Sequence, residues 1–576
     1  MTASFKFRML YAPCDALVKA AAKGGMDWVV VESYGHKNLR RQGLDDVYVP
    51  FRNYPGLRAY QKKLEPYYKE RIAQTKKLVA LAKKSGLKTA IHGYEISLPA
   101  AIRDACPEVF TPPVTDGISA FYTFAPPPKN YRAMCLSNPA LRRMITSKIR
   151  ELFELIPGLD GYIYSFHETS GTGFAHRCPF CRDIPYWRMF QYLHDAIREG
   201  LDQVDPRKKL FVRCWGTQES VQTRKREYLQ LFQAGRITKE QKRYWERMVS
   251  KYGFYDPKKE IPLFIKSLAG KNTAFIYKAT WADFSIRQPA NPWMGAYAPH
   301  DEIAEVSFEH CRHGSDHFLV LPQQIPGYVR MADRKNLAGV CGVPFNWGSS
   351  VRVNPDYAFD PERWKLNKLN LDLFMTCARR PSENAEEFVR KWLKNRYGHD
   401  LPALAKLLLS VEQTTDQTFN LNGVAPQDVY GVFGYSYVTL DYLKHILNRY
   451  LFLRKDGLQR VSRSPENLER INENHRRGLE RIKSMLVRIE RLKNSIPRKA
   501  AEDFRECFSN WHDMLRFASY ARQAALLAWG MEEGRLKPSP KVSGQLQQWQ
   551  QNLCQVVAES PLIRKIILGS QVTKKI

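Results

Sequence analysis

From the first residues to about residue 380, short runs of β-branched and aromatic residues alternate with longer stretches whose apolar positions recur every three or four residues. The short runs at 8–12, 27–32 (DWVVVE), 88–95 (KTAIHGYE), 160–168 (DGYIYSFHE), 210–216 (LFVRCWG) and 273–280 (TAFIYKAT) read as strands. A seventh lies at 305–310 or at 317–321, and an eighth at 339–346. Between them, stretches such as 57–85 place Leu64, Tyr67, Tyr68, Ile72, Leu78, Val79 and Ala82 on one helical face and stop at Gly86. Strands alternating with helices in this way predict a parallel sheet with crossover helices, and about eight repeats predict a (β/α)8 TIM barrel. In such a barrel the polar residues at the C-terminal ends of the strands share one cleft: Glu32, His92, Glu95, His167, Glu168, Arg213, Lys278, Asp283 and Asn346.

Beyond residue 380 the strand signals stop and long charged helices take over. The stretch 465–493 carries Leu468, Ile471, Leu479, Ile482, Leu486, Ile489 and Leu492 as an apolar stripe. The chain therefore divides into a barrel, 1–380, and an α-helical C-terminal domain, 381–576, which suits packing on the barrel or pairing as a homodimer. Its 576 residues exceed what one compact core holds. The region 219–259 reads as a basic helical insertion.

Composition adds a constraint on partners. A formal charge of +31 attracts polyanions, whether nucleic acid or an acidic polysaccharide, unless it is simply a solvated surface. No zinc-finger pair, helix-turn-helix signature or aromatic RNP strand appears, which disfavours nucleic acid. No apolar run reaches membrane-spanning length and residues 1–10 (MTASFKFRML) lack a signal-peptide core, so no membrane span is expected and the location is read as cytoplasmic, with a periplasmic or secreted one, after removal of a signal, as the alternative. Eleven cysteines without a framework fit a reducing compartment. His176, Cys178 and Cys181 form half of a zinc knuckle, but the second half is missing, so no metal and no cofactor are expected.

Glycosidic hydrolysis needs a protonated acid at the leaving oxygen and a second carboxylate. Glu168 closes an apolar strand (Tyr162, Ile163, Tyr164, Phe166), where burial raises a carboxyl pKa as an acid requires. Trp215, Trp281, Trp293 and Trp347 are candidate sugar-stacking surfaces.

The stretch 278–295 (KATWADFSIRQPANPWMG) resembles a segment of glycoside hydrolase family 67, the α-glucuronidases, that runs Lys, then Asp-Phe, then Arg-x-Pro, Pro and Gly at matching intervals. The strand 160–168 is similar to the one carrying that family's general acid. Residues 210–215 resemble its strand with Arg beside Trp, 306–310 (VSFEH) its Glu-bearing strand, and 384–398 (NAEEFVRKWLKNRYG) the helix after its barrel. The resemblance covers roughly residues 5–400 in pieces. The family's N-terminal β-sandwich is missing, and His167 and Tyr164 depart from its pattern.

The resemblance implies an inverting reaction with Glu168 as general acid and with Asp283 and Glu309 activating water, Glu305 competing with Glu309 for the alignment. It implies that Arg213 and Lys278 bind the sugar carboxylate, or else pair structurally with those carboxylates. By strand position His92 and Glu95 line the same cleft, and His167, Trp215, Arg287, Asn346 and Trp347 are further candidate substrate-binding residues. The expected activity is exo-release of an α-linked uronic acid from an oligo- or polysaccharide. A barrel glycosidase acting on a neutral or sulfated sugar is the alternative within the class, and a non-catalytic polyanion-binding protein is the alternative outside it.

Overall fold

The computed structural model describes residues 5–32, 49–93, 102–113, 132, 134–165, 180–214, 238–252, 257–280, 290–291, 293–308, 318–344, 361–419, 465–532, 536–561 and 563–564. Eight parallel strands close into a barrel in sequence order: β1 (Phe7–Tyr11), β2 (Trp28–Glu32), β3 (Lys88–Gly93), β4 (Gly161–Tyr164), β5 (Lys209–Cys214), β6 (Thr273–Lys278), β7 (Asp301–Ser307) and β8 (Gly339–Val343). Closure joins β1 to β8, with Phe7 opposite Gly339 and Met9 opposite Cys341.

The crossovers supply helices α1 (Asp15–Lys23), α2 (Arg58–Lys84), α3 (Pro139–Leu155), α4 (Tyr186–Asp202), α5 (Lys239–Tyr252), α6 (Pro257–Ser267) and α7 (Gln324–Arg334). Outward strand residues such as Leu10, Val29, Ile91, Tyr162, Val212, Phe275 and Ala304 pack against them in the main apolar cluster. Because successive strand side chains point to opposite faces, the alternate residues form a separate cluster inside the lumen. At its N-terminal end Phe7, Trp28 and Phe211 form a plug, with Trp28 and Phe211 edge to face at 5.3 Å. Lys209 and Lys88 lie over the Phe7 and Trp28 rings.

The seventh strand departs from its expected place. It starts at Asp301 instead of Glu305, and the described residues 318–321 of the alternative place form no strand. Their backbone groups go elsewhere: Leu319 N donates to Asn367 Oδ1, Leu321 N to Asn370 Oδ1, and Leu319 O accepts from Asn370 Nδ2. Asn370 belongs to α8 (Lys368–Arg379).

After α8 the described chain is helical throughout: α9 (Ala385–Tyr397), α10 (Pro402–Phe419), α11 (Pro465–Leu492), α12 (Arg498–Glu532) and α13 (Pro540–Glu559). Asn384 caps α9 through its side chain, which accepts from the backbone of Glu386 and Glu387, and Gly398 follows its last turn. These helices hold the 318–324 segment from outside. Phe318 stacks against Phe508 and Trp511 of α12, and Glu412 of α10 accepts from Gln323 N and Gln324 N at the start of α7. None of the described helices is long and apolar enough to cross a membrane.

Candidate active site

Toward the C-terminal ends of the strands the inward positions turn polar. Two residues beyond lumen-lining Met9, Ala90, Ile163, Phe211, Ile276 and Ile303 come Tyr11, His92, Ser165, Arg213, Lys278 and Glu305, all buried. Since each polar side chain follows an inward apolar one at the strand period, the six line one end of the lumen.

Arg213 and Glu305 meet as a two-pronged pair: Nε donates to Oε2 at 2.5 Å and Nη2 to Oε1 at 2.7 Å. The side chains are 10% and 1% exposed, so the pair is shielded from water on nearly every side. The pair passes over β6, where Lys278 sits in register with Glu305 and is itself buried. Cys341, opposite Glu305 on β8, has its thiol pKa pushed well up by burial and then by the Glu305 charge.

His92 lies between two hydroxyls, Tyr11 Oη at 3.0 Å from Nδ1 and Ser165 Oγ at 2.9 Å from Nε2. Burial, reinforced by the Arg213 charge, holds its pKa well below the ordinary histidine value, so the ring is neutral.

The connection from β6 to β7 is anchored from within. Thr280 and Ala290 form an antiparallel bridge, and Asn291 N donates to Ala279 O at 2.8 Å. The Asn291 side chain donates to Lys278 O and accepts from Trp293 N. Farther along, buried Glu302 accepts from Tyr277 Oη at 2.7 Å, Gly295 N at 2.9 Å and Tyr297 N at 2.9 Å. Gly295 has φ of 89°, a left-handed conformation that favours glycine. Asn291 and Gly295, inside the segment that resembles the α-glucuronidases, thus have structural duties. Trp293 packs against the main apolar cluster.

Of the residues named from the sequence, the structure brings together His92, Arg213, Lys278 and Glu305, the competitor of Glu309, and adds Tyr11 and Ser165. Sequence reading singled out neither Tyr11 nor Ser165, although both sit at the inward strand period and were reachable by it. His92 was expected to face substrate, but both its ring nitrogens are engaged within the lumen. Glu305 is the lumen ion-pair partner. The expected catalytic residues Glu168, Asp283 and Glu309 lie outside the described residues, as do Glu95, His167, Trp215, Arg287, Asn346 and Trp347. Trp281, His176 and Cys178 lie outside them too; Cys181 is a buried free thiol.

No protein-family profile matches the chain, and no curated protein matches it. Among solved structures it is similar to a GH138 enzyme targeting pectin rhamnogalacturonan II, at 12% identity and TM-score 0.48, over 94% of this chain and 58% of that one. It is also similar to a family 89 glycoside hydrolase from Clostridium perfringens in complex with PUGNAc, at 11% identity and TM-score 0.44, over 98% and 66%. A third is the Thermobaculum terrenum O-GlcNAc hydrolase, at 9% identity and TM-score 0.39, over 99% and 94%. The chain spans less than two thirds of the first of these. Likenesses this distant do not carry a function across.

Proposed function

We propose that this chain is a glycoside hydrolase acting at the C-terminal mouth of its barrel, and that it releases an α-linked uronic acid from an oligo- or polysaccharide in an exo-acting, inverting reaction. The observation that carries the reading is the buried cationic lining of that mouth, Arg213 and Lys278 around Glu305. In chain order the three proposed carboxylates each follow a strand that enters it: Glu168 after β4, Asp283 after β6 and Glu309 after β7.

On this reading Glu168 protonates the leaving oxygen as the bond from the anomeric carbon breaks. Asp283 and Glu309 activate the water that attacks the opposite face, one of them taking its proton while the other orients it. Inversion calls for a separation of about 6.5–9.5 Å between acid and base, which leaves room for that water. Lys278 supplies a point charge for the uronate and Arg287 a second cation. Arg213 turns Nε and Nη2 to Glu305 and adds its positive charge beside that subsite.

That same engagement favours a second reading. With Arg213 satisfied by Glu305, a neutral sugar, or a sulfated one held by Lys278, fits the mouth as well. The deciding measurement is release of free uronic acid from a panel of uronic-acid-capped oligosaccharides by the native chain, Glu168→Gln and Asp283→Asn. Release by the native chain that is lost in both variants is the expected result. Cleavage of neutral or sulfated glycosides alone overturns the uronide, and silence on every sugar overturns hydrolysis.

A further inference from the structure

Three buried side chains from neighbouring parts of the barrel form one hydrogen-bonded line: Tyr11 at the end of β1, His92 on β3 and Ser165 immediately after β4. They are 2%, 1% and 0% exposed. A neutral imidazole has one donor and one acceptor nitrogen, and a hydroxyl serves as either. Tyr11 donates to Nδ1 while Nε2–H donates to Ser165, or the whole line runs the other way. In both cases the ring plane is set, and the Tyr11 ring further braces it edge-on at 6.0 Å.

A line of this kind is expensive. Each polar group gives up water, and the lower lumen shows that this barrel fills the same positions with Phe7, Trp28 and Phe211 when only packing is needed. What the line adds is a fixed attachment for the end of β4, because Ser165 immediately follows that strand and the chain reaches Glu168 three residues later. We propose that Tyr11, His92 and Ser165 form a positioning relay that fixes the end of β4 for the general acid. The inference rests on the glycosidase reading above. None of the three contacts substrate in it; they act through the segment that follows Ser165.

The test compares two substrates with the same glycone, one with a sugar leaving group and one with dinitrophenolate, which departs without protonation. In the full-length chain, Tyr11→Phe and Ser165→Ala are expected to lower kcat on the sugar-leaving substrate by roughly tenfold with KM unchanged. On the dinitrophenyl glycoside the same variants are expected to stay within about twofold of native. Equal losses on both substrates, or no loss on either, overturn the relay. Tyr11→Phe keeps the ring and decides the matter alone if Ser165→Ala fails to fold, as thermal unfolding reports. A native chain that cleaves neither substrate sinks the glycosidase reading, and the relay with it, before any variant is made.

Discussion

Arg213 and Glu305 join β5 to β7 over the top of β6, and each side chain satisfies the other inside a lumen that excludes water. The geometry makes the two residues a unit. Removing one partner leaves the other as a buried charge without its forked mate, whereas removing both takes away the two charges of the pair and leaves buried Lys278 alongside.

Arg213→Met is therefore expected to lower unfolding stability by roughly 3–5 kcal/mol, and Glu305→Leu to do the same. The double variant should recover most of that loss. Urea titration of the four proteins measures the coupling, and additive losses would show that the pair is not a unit.

His92 gives a pH dependence whose sign is fixed by its lowered pKa. The unfolded chain takes up a proton near pH 6.5 while the folded ring stays neutral, so its contribution is fully present above that pH and is lost as pH falls. Buried His194, whose pKa burial also lowers, adds to the same trend. Each such ring steepens the acid loss by up to about 1.4 kcal/mol per pH unit. Denaturation midpoints from pH 7.5 down to pH 5 should show a shallower slope for His92→Gln than for the native chain.

Gly478 on α11 faces Thr418 on α10. A Cβ built there would stand 2.1 Å from Thr418 Oγ1 and 2.9 Å from its Cα. Gly478→Ala gains about 1 kcal/mol of helix propensity but must push the helices apart, which costs about 1–3 kcal/mol. A net loss of stability is expected on calorimetry, smaller when Thr418→Ala is combined with it.

Asn291 anchors both ends of the β6 turn, and Asn291→Ala leaves Lys278 O and Trp293 N without that side chain. The expected stability loss is about 1–3 kcal/mol. A larger fractional fall in turnover than in folded fraction would tie the anchor to the proposed Asp283 segment, and parallel falls would confine it to folding.

The barrel was legible because its strands are nearly continuous apolar runs, as strands buried on both faces must be. Seven of the eight begin within a residue of where the pattern put them. The exception is instructive. β7 reads Asp-Glu-Ile-Ala-Glu-Val-Ser, which looks half solvated, yet Glu302 is buried because Tyr277, Gly295 and Tyr297 donate to it, and Glu305 because Arg213 does. Partners 5 to 92 residues away decide whether a carboxylate lies inside. For the same reason the pattern placed His92 at a strand end without naming its hydroxyl partners, which come from β1 and the end of β4.

The separation of Arg213 from Glu305 also sets an order of events during synthesis. Glu305 comes 92 positions after Arg213, and a ribosome adds them in roughly 5–20 s. For that interval the first five strands have emerged without the carboxylate of Glu305, and β1 still lacks β8 as its second neighbour. The two-pronged bridge over β6 is therefore made only when the seventh strand arrives.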